Sequence, residues 1–121
     1  MNRTLREAHA IAWAERIKGG VGKHHLAAIV VCDDGREWAV NINAPPDMSP
    51  SHHAEVRAVR RLGIHRARGA TVYVARSTAN GAFANARPCA NCERFLRRAG
   101  VARVVYTAGD GEYGTIKFWR V

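Results

Sequence analysis

Apolar positions along this chain recur first with a helical period and then with the continuity of buried strands. Leu5, Ala8, Ile11, Ala12 and Ile17 share one helical face, and Gly19-Gly20 stops the run. Thr4 stands before that helix with Glu7 three residues on, which is capping-box spacing. His25 to Cys32 is an unbroken apolar stretch rich in Ile and Val. Asp33-Asp34-Gly35 is a turn signal, and Arg36 to Ile42 completes an antiparallel hairpin. Asn43 to Ser51 reads as a loop. His53 to Leu62 returns to helical spacing and ends at Gly63. Ala70 to Ala75 is a strand, and Ser77 to Arg87 is a polar loop. Cys89 to Ala99 is a helix stopped by Gly100, and Val101 to Thr107 is a strand. A glycine-rich turn then leads to a last strand, Thr115 to Val121.

The order α-β-β-α-β-α-β-β predicts a five-stranded mixed sheet covered by helices. Its two strand-helix-strand units imply parallel neighbours with right-handed crossovers. The link from Ala108 to Gly114 is too short for a parallel crossover, which needs about a dozen residues. The last strand is therefore expected to be antiparallel to its predecessor. No repeat or linker divides the chain, so residues 1–121 are expected to form a single domain.

Composition narrows the class. Hydrophobic residues make up 47% and charged residues 24% of the 121 positions, which is ordinary globular usage and argues against disorder. No apolar run is long enough to span a bilayer, and Met1 to Arg6 open into a helical pattern, so a cytoplasmic protein is expected. The net charge of +9 makes phosphate-bearing partners plausible, although an arginine- and alanine-rich bias is also what a GC-rich genome produces. Of the three cysteines, Cys89 and Cys92 are three apart, which points to metal or redox chemistry rather than a disulfide framework.

The chemistry sits in His53-Ala54-Glu55 and Pro88-Cys89-Ala90-Asn91-Cys92. This H-x-E and P-C-x-x-C pair is the established signature of zinc deaminases. Zinc takes imidazole nitrogen and thiolate sulfur, and a catalytic site keeps three protein ligands with one position open to water. Cys89 and Cys92 at i and i+3 face one way at a helix start, where the helix dipole favours thiolates. His53 would complete the set, and Glu55 would move protons between the water, a ring nitrogen and the leaving group. A structural zinc site would need a fourth ligand from His52, Cys32 or another His; Cys32, in an apolar strand, reads better as core. A redox C-x-x-C leaves the H-x-E segment without a role.

On these motifs the chain resembles the cytidine and deoxycytidylate deaminase superfamily, which also includes tRNA adenosine, guanine and nucleic-acid cytosine deaminases. The resemblance runs from the first helix to the last strand. It implies a three-layer α/β/α fold, Zn2+ on His53, Cys89 and Cys92, and Glu55 as proton shuttle. It also implies that the Ala54 backbone N–H and the carbonyl near Pro88 hold the base edge. An upstream asparagine, Asn43 first and Asn41 second, would contact sugar or base; both also suit turn chemistry.

Two features point to different branches of the superfamily. An antiparallel last strand is characteristic of the branch acting on free cytidine, whereas that branch commonly has Cys where this chain has His53. The leading expectation is hydrolysis of a cytosine-type base in a free nucleoside or nucleotide to uracil and ammonia. The alternatives are deamination of single-stranded DNA or RNA, and a non-catalytic zinc-stabilised nucleic-acid-binding module. Arg57, Arg60 and Arg61, with Arg94, Arg97 and Arg98, either neutralise phosphates or form solvated helix faces. Phe83 could stack on a base, and Trp119 either lines a pocket or packs. A homo-oligomer that completes the pocket is compatible with so short a chain.

Overall fold

The computed structural model describes residues 2–19, 26–40, 53–78, 80–109 and 111–118. Helix α1 is Arg3–Gly19, and its cap is not the expected Thr4. The Asn2 side-chain oxygen accepts the Leu5 N–H at 3.0 Å, so Asn2 is the cap and Thr4 lies inside the first turn. An asparagine at that place satisfies an amide that has no helical acceptor, which displaces the expected capping box. Leu5, Ala8 and Ala12 are buried, while Ile17 is 63% exposed and leaves the apolar stripe before the helix ends.

Strands β1, Leu26–Cys32, and β2, Gly35–Val40, form the expected antiparallel hairpin, closing on the pair Cys32 and Gly35. Helix α2, Ala54–Leu62, ends at Gly63, whose φ of 107° suits the residue without a Cβ. Strand β3 is Thr71–Ser77, helix α3 is Ala90–Arg98, and strand β5 is Arg103–Thr107. The short strand β4, Phe83–Ala84, lies inside what the sequence suggests is only a loop, and strand β6 is Tyr113–Lys117. The expected loop Asn43 to Ser51 lies outside the described residues.

The sheet order is β2-β1-β3-β5-β6, with β4 paired to β3. Because β1 is antiparallel to both β2 and β3, those two run in the same direction without being neighbours. This corrects the expectation of two adjacent parallel pairs. The reason is the Ile and Val run of β1, whose buried stretch from Ala27 to Val30 takes a central place with strands on both sides. The other strand-helix-strand unit behaves as expected, β3 and β5 being parallel neighbours. Strand β6 is antiparallel to β5, as the short link requires. The mixed sheet therefore has the expected five strands plus the two-residue β4.

Alternation along the strands divides the core into two layers. Ile29, Ala75 and Val105 face α1 and pack with Leu5 and Ala8. Ala28, Val30, Val72, Val74 and Val104 face the other way, against Ala58, Val59 and Leu62 of α2 and Leu96 of α3. The result is the expected three-layer α/β/α sandwich. Each fully buried Val or Leu at these contacts contributes about 1.5–3 kcal/mol from apolar burial. This packing holds α2 and α3 side by side, with Arg60 of α2 over the Phe95 ring of α3 at 5.5 Å.

Candidate metal centre

The residue before each of these two helices carries a candidate ligand. His53 precedes α2 in an extended conformation, with φ −76° and ψ 149°, and its ring makes no capping hydrogen bond. Its carbonyl instead starts the helix by accepting the Arg57 N–H at 3.0 Å. Cys89 precedes α3 with φ −68° and ψ 166°, and its sulfur accepts the Cys92 N–H at 3.4 Å. A sulfur in that position meets backbone donors and the positive end of the helix, both of which favour the thiolate. The i, i+3 spacing then places Cys92 in the first turn, fully buried, while Cys89 is exposed and His53 half-buried.

The three donor atoms converge. His53 Nδ1 lies 2.9 Å from Cys92 Sγ and 3.8 Å from Cys89 Sγ, and all three atoms lie within 4.8 Å of one another. Zinc bound tetrahedrally at about 2.0 Å from nitrogen and about 2.3 Å from sulfur holds such atoms about 3.5–3.8 Å apart, a separation that the distances here bracket. Among the described residues no fourth His, Cys, Asp or Glu joins the cluster. Three donors of this chemistry, running from core to solvent, suit Zn2+ with an open position better than a closed structural site.

Glu55 sits one helical residue beyond Ala54 and is only 2% exposed. Among the described residues its buried Oε1 has no hydrogen-bond partner. Burial pushes its carboxyl up to about 7, against a smaller lowering by a backbone hydrogen bond. Burial also pushes the Cys92 thiol well above its ordinary range, and the nearby Glu55 and Cys89 charges add to the shift. A cation placed among these groups would reverse that balance, favouring thiolate and carboxylate together. A buried carboxyl whose charge acts on the Cys92 thiol is costly by itself, and a cation or a proton at that place relieves the cost.

The remaining sequence candidates scatter. Ala54 opens α2 and Pro88 immediately precedes Cys89; both are buried at the cluster's own helix starts. Phe83 is half-buried with its ring tilted against His9 of α1, centroids 4.7 Å apart. Asn41, Asn43, His52 and Trp119 lie outside the described residues. Cys32 is half-buried and donates to the Asp34 carboxylate at 3.0 Å, a contact that holds the Asp34 carboxyl below its ordinary pKa. That thiol lies at the rim of the core and does not join the donor cluster.

The arginine clusters are largely occupied within the chain. Arg57 donates to the Val40 carbonyl, and Arg61 donates to the Trp38 carbonyl at 2.9 Å while lying over the Trp38 ring. Arg97 lies over Phe118 at 4.8 Å. Arg87 carries no periodicity signal, although its place directly before Pro88 draws attention. Its guanidinium donates to the Tyr106 hydroxyl at 3.1 Å and lies over that ring, and its own N–H is accepted by Asn85.

A family model described as the cytidine and deoxycytidylate deaminase zinc-binding region matches residues 2–108. The match ends before β6. No curated protein sequence matches the chain significantly. Among solved structures, the 1.6 Å crystal structure of cytidine deaminase from Burkholderia pseudomallei superposes with a TM-score of 0.63. The two are 21% identical over 98% of this chain and 94% of that one, a likeness of fold.

Proposed function

Because the chain belongs to the cytidine and deoxycytidylate deaminase family, we propose that it hydrolyses a cytosine-type base, in a free nucleoside or nucleotide, to uracil and ammonia. The observation that carries this reading is the convergence of the His53, Cys89 and Cys92 donors, with the buried Glu55 carboxyl two residues beyond His53 and its charge acting on Cys92. In this reading His53, Cys89 and Cys92 hold Zn2+. When bound, the metal supplies Lewis acidity that brings the pKa of water toward neutrality.

The chain's own groups do the rest. Glu55 takes a proton from the attacking water and gives it to the ring nitrogen, and a second transfer lets the amino group leave as ammonia. Its burial keeps the acid near neutrality, where it can both give and take. The Ala54 N–H and the carbonyl near Pro88 hold the base edge. Asn43 or Asn41 contacts the sugar or the base, and Phe83 stacks on the base. We assign residues 1–121 to one catalytic domain and place it in the cytoplasm, where free thiols persist. Among the described residues no helix is long and apolar enough to cross a membrane.

Two observations favour a small substrate over a polynucleotide. Arg57, Arg60 and Arg61 already have partners on β2 and α3. Arg97 and Arg98 end α3, about 12 Å or more along its axis from Cys89. The antiparallel β6 also agrees with the free-cytidine branch. The test is ammonia release by zinc-loaded protein from cytidine, deoxycytidine, their monophosphates, adenine and guanine compounds, and single-stranded DNA. Release from a cytosine nucleoside or nucleotide is expected. Release from DNA alone would replace this reading by the polynucleotide one, and zinc binding with no release from any substrate would favour a binding module.

A further inference from the structure

The parallel ladder between β3 and β5 stops before β3 does. It runs from Thr71 with Arg103 to Val74 with Tyr106. Beyond it β4 takes the place of β5, pairing Arg76 with Ala84 and Ser77 with Phe83, while β1 still pairs with Arg76 on the other side. The sheet therefore forks, and Thr107, the last residue of β5, stands fully buried in the fork. Its hydroxyl accepts the Arg76 N–H at 3.1 Å and donates to the Ala84 carbonyl at 2.6 Å. Its own carbonyl accepts the Ala86 N–H at 2.8 Å. Only Arg87 and Pro88 then separate Ala86 from Cys89.

We propose that Thr107 is a positioning residue for the metal centre, its hydroxyl and carbonyl holding the segment that delivers Cys89. The inference rests on the zinc reading of His53, Cys89 and Cys92. A hydroxyl donates and accepts from one atom, so it closes the β3 and β4 backbone groups together. Valine has the same shape and can do neither, leaving a part-buried N–H and a part-buried carbonyl without this partner. Cys89 is the exposed ligand at the end of a loop, so its place depends on where that loop is tied. Cys92, buried inside the first turn of α3, is held by helix packing instead. Conserving the hydroxyl should therefore conserve the metal site, and conserving only the shape should not.

Thr107→Val and Thr107→Ser separate these roles. Zinc affinity is read by competition with a chromophoric chelator, and ligand geometry by the visible absorption of the cobalt-substituted protein. Thr107→Val is expected to bind zinc about 10–100-fold more weakly, with displaced cobalt bands. Thr107→Ser should bind close to wild type. A folded Thr107→Val with wild-type affinity and spectrum overturns the proposal. Should that variant fail to fold, amide exchange in the wild-type chain decides. Ala86 N–H is expected to be protected without zinc, and free exchange there until zinc is added would show that the metal, not Thr107, sets the loop. Failure of the wild-type chain to take up zinc would instead remove the metal-centre reading.

Discussion

His53 and Cys89 hold the same position on different helices, each the extended residue before the first turn, and their donor atoms lie 3.8 Å apart. The sites of two helix starts thus become one. The converging positive ends favour anionic ligands, and neither residue spends its backbone conformation on anything but starting a helix.

Cys92→Ser tests the ligand assignment with little change of volume. Metal analysis should show loss of bound zinc, and ammonia release should fall with it. Retention of full zinc content by this variant would remove Cys92 from the site.

Glu55→Gln separates proton transfer from metal binding. The variant is expected to keep its zinc and to lose about 10²–10⁴-fold in turnover. Equal loss of zinc would make Glu55 a ligand rather than a shuttle.

The metal-free protein should show the Glu55 carboxyl in its stability. Its ordinary value of 4.5 rises to about 7 on folding, so the folded state holds the extra proton between those values. The stability this gives is complete below pH 4.5 and is lost as pH rises through 7, a fall on the order of 3 kcal/mol from this group. Urea melts of metal-free wild type and Glu55→Gln across that window should diverge. Parallel profiles would show that Glu55 ionises freely in the folded chain.

The start of α1 gives a comparison between two caps. Asn2→Ala should cost about 1 kcal/mol, because the Leu5 N–H loses its acceptor. Thr4→Ala, inside the helix, should be neutral or slightly stabilising. The reverse order in denaturant melts would restore Thr4 as the cap.

Arg98→Glu addresses the basic surface. Arg98 ends α3 and is exposed, far along the helix from Cys89. Its reversal should leave kcat/KM on a cytosine nucleotide within about twofold of wild type, and cost about 0.3–1 kcal/mol through the helix dipole. A larger loss of kcat/KM would bring the substrate phosphate to that end of the helix.

The candidate metal donors are legible because their spacing is local: Cys89 and Cys92 belong to one turn, and His53 and Glu55 to another. The fold class followed from periodicity, and the direction of β6 from the length of one link. The sequence does not separate Asn2 from Thr4 as the cap of α1, because the two offer the same chemistry two residues apart. Strand β4 was missed because two residues carry no period.

By itself the sequence determined which side chains could hold zinc, which helices carry them and which strands alternate. Those properties depend on neighbours within a turn or a hairpin. Only the tertiary structure decided that β1 separates β2 from β3, that Arg57 and Arg61 turn back to β2, and that Thr107 stands in the fork before Cys89. Each depends on groups distant in sequence that meet when apolar faces are buried and backbone groups must still find partners.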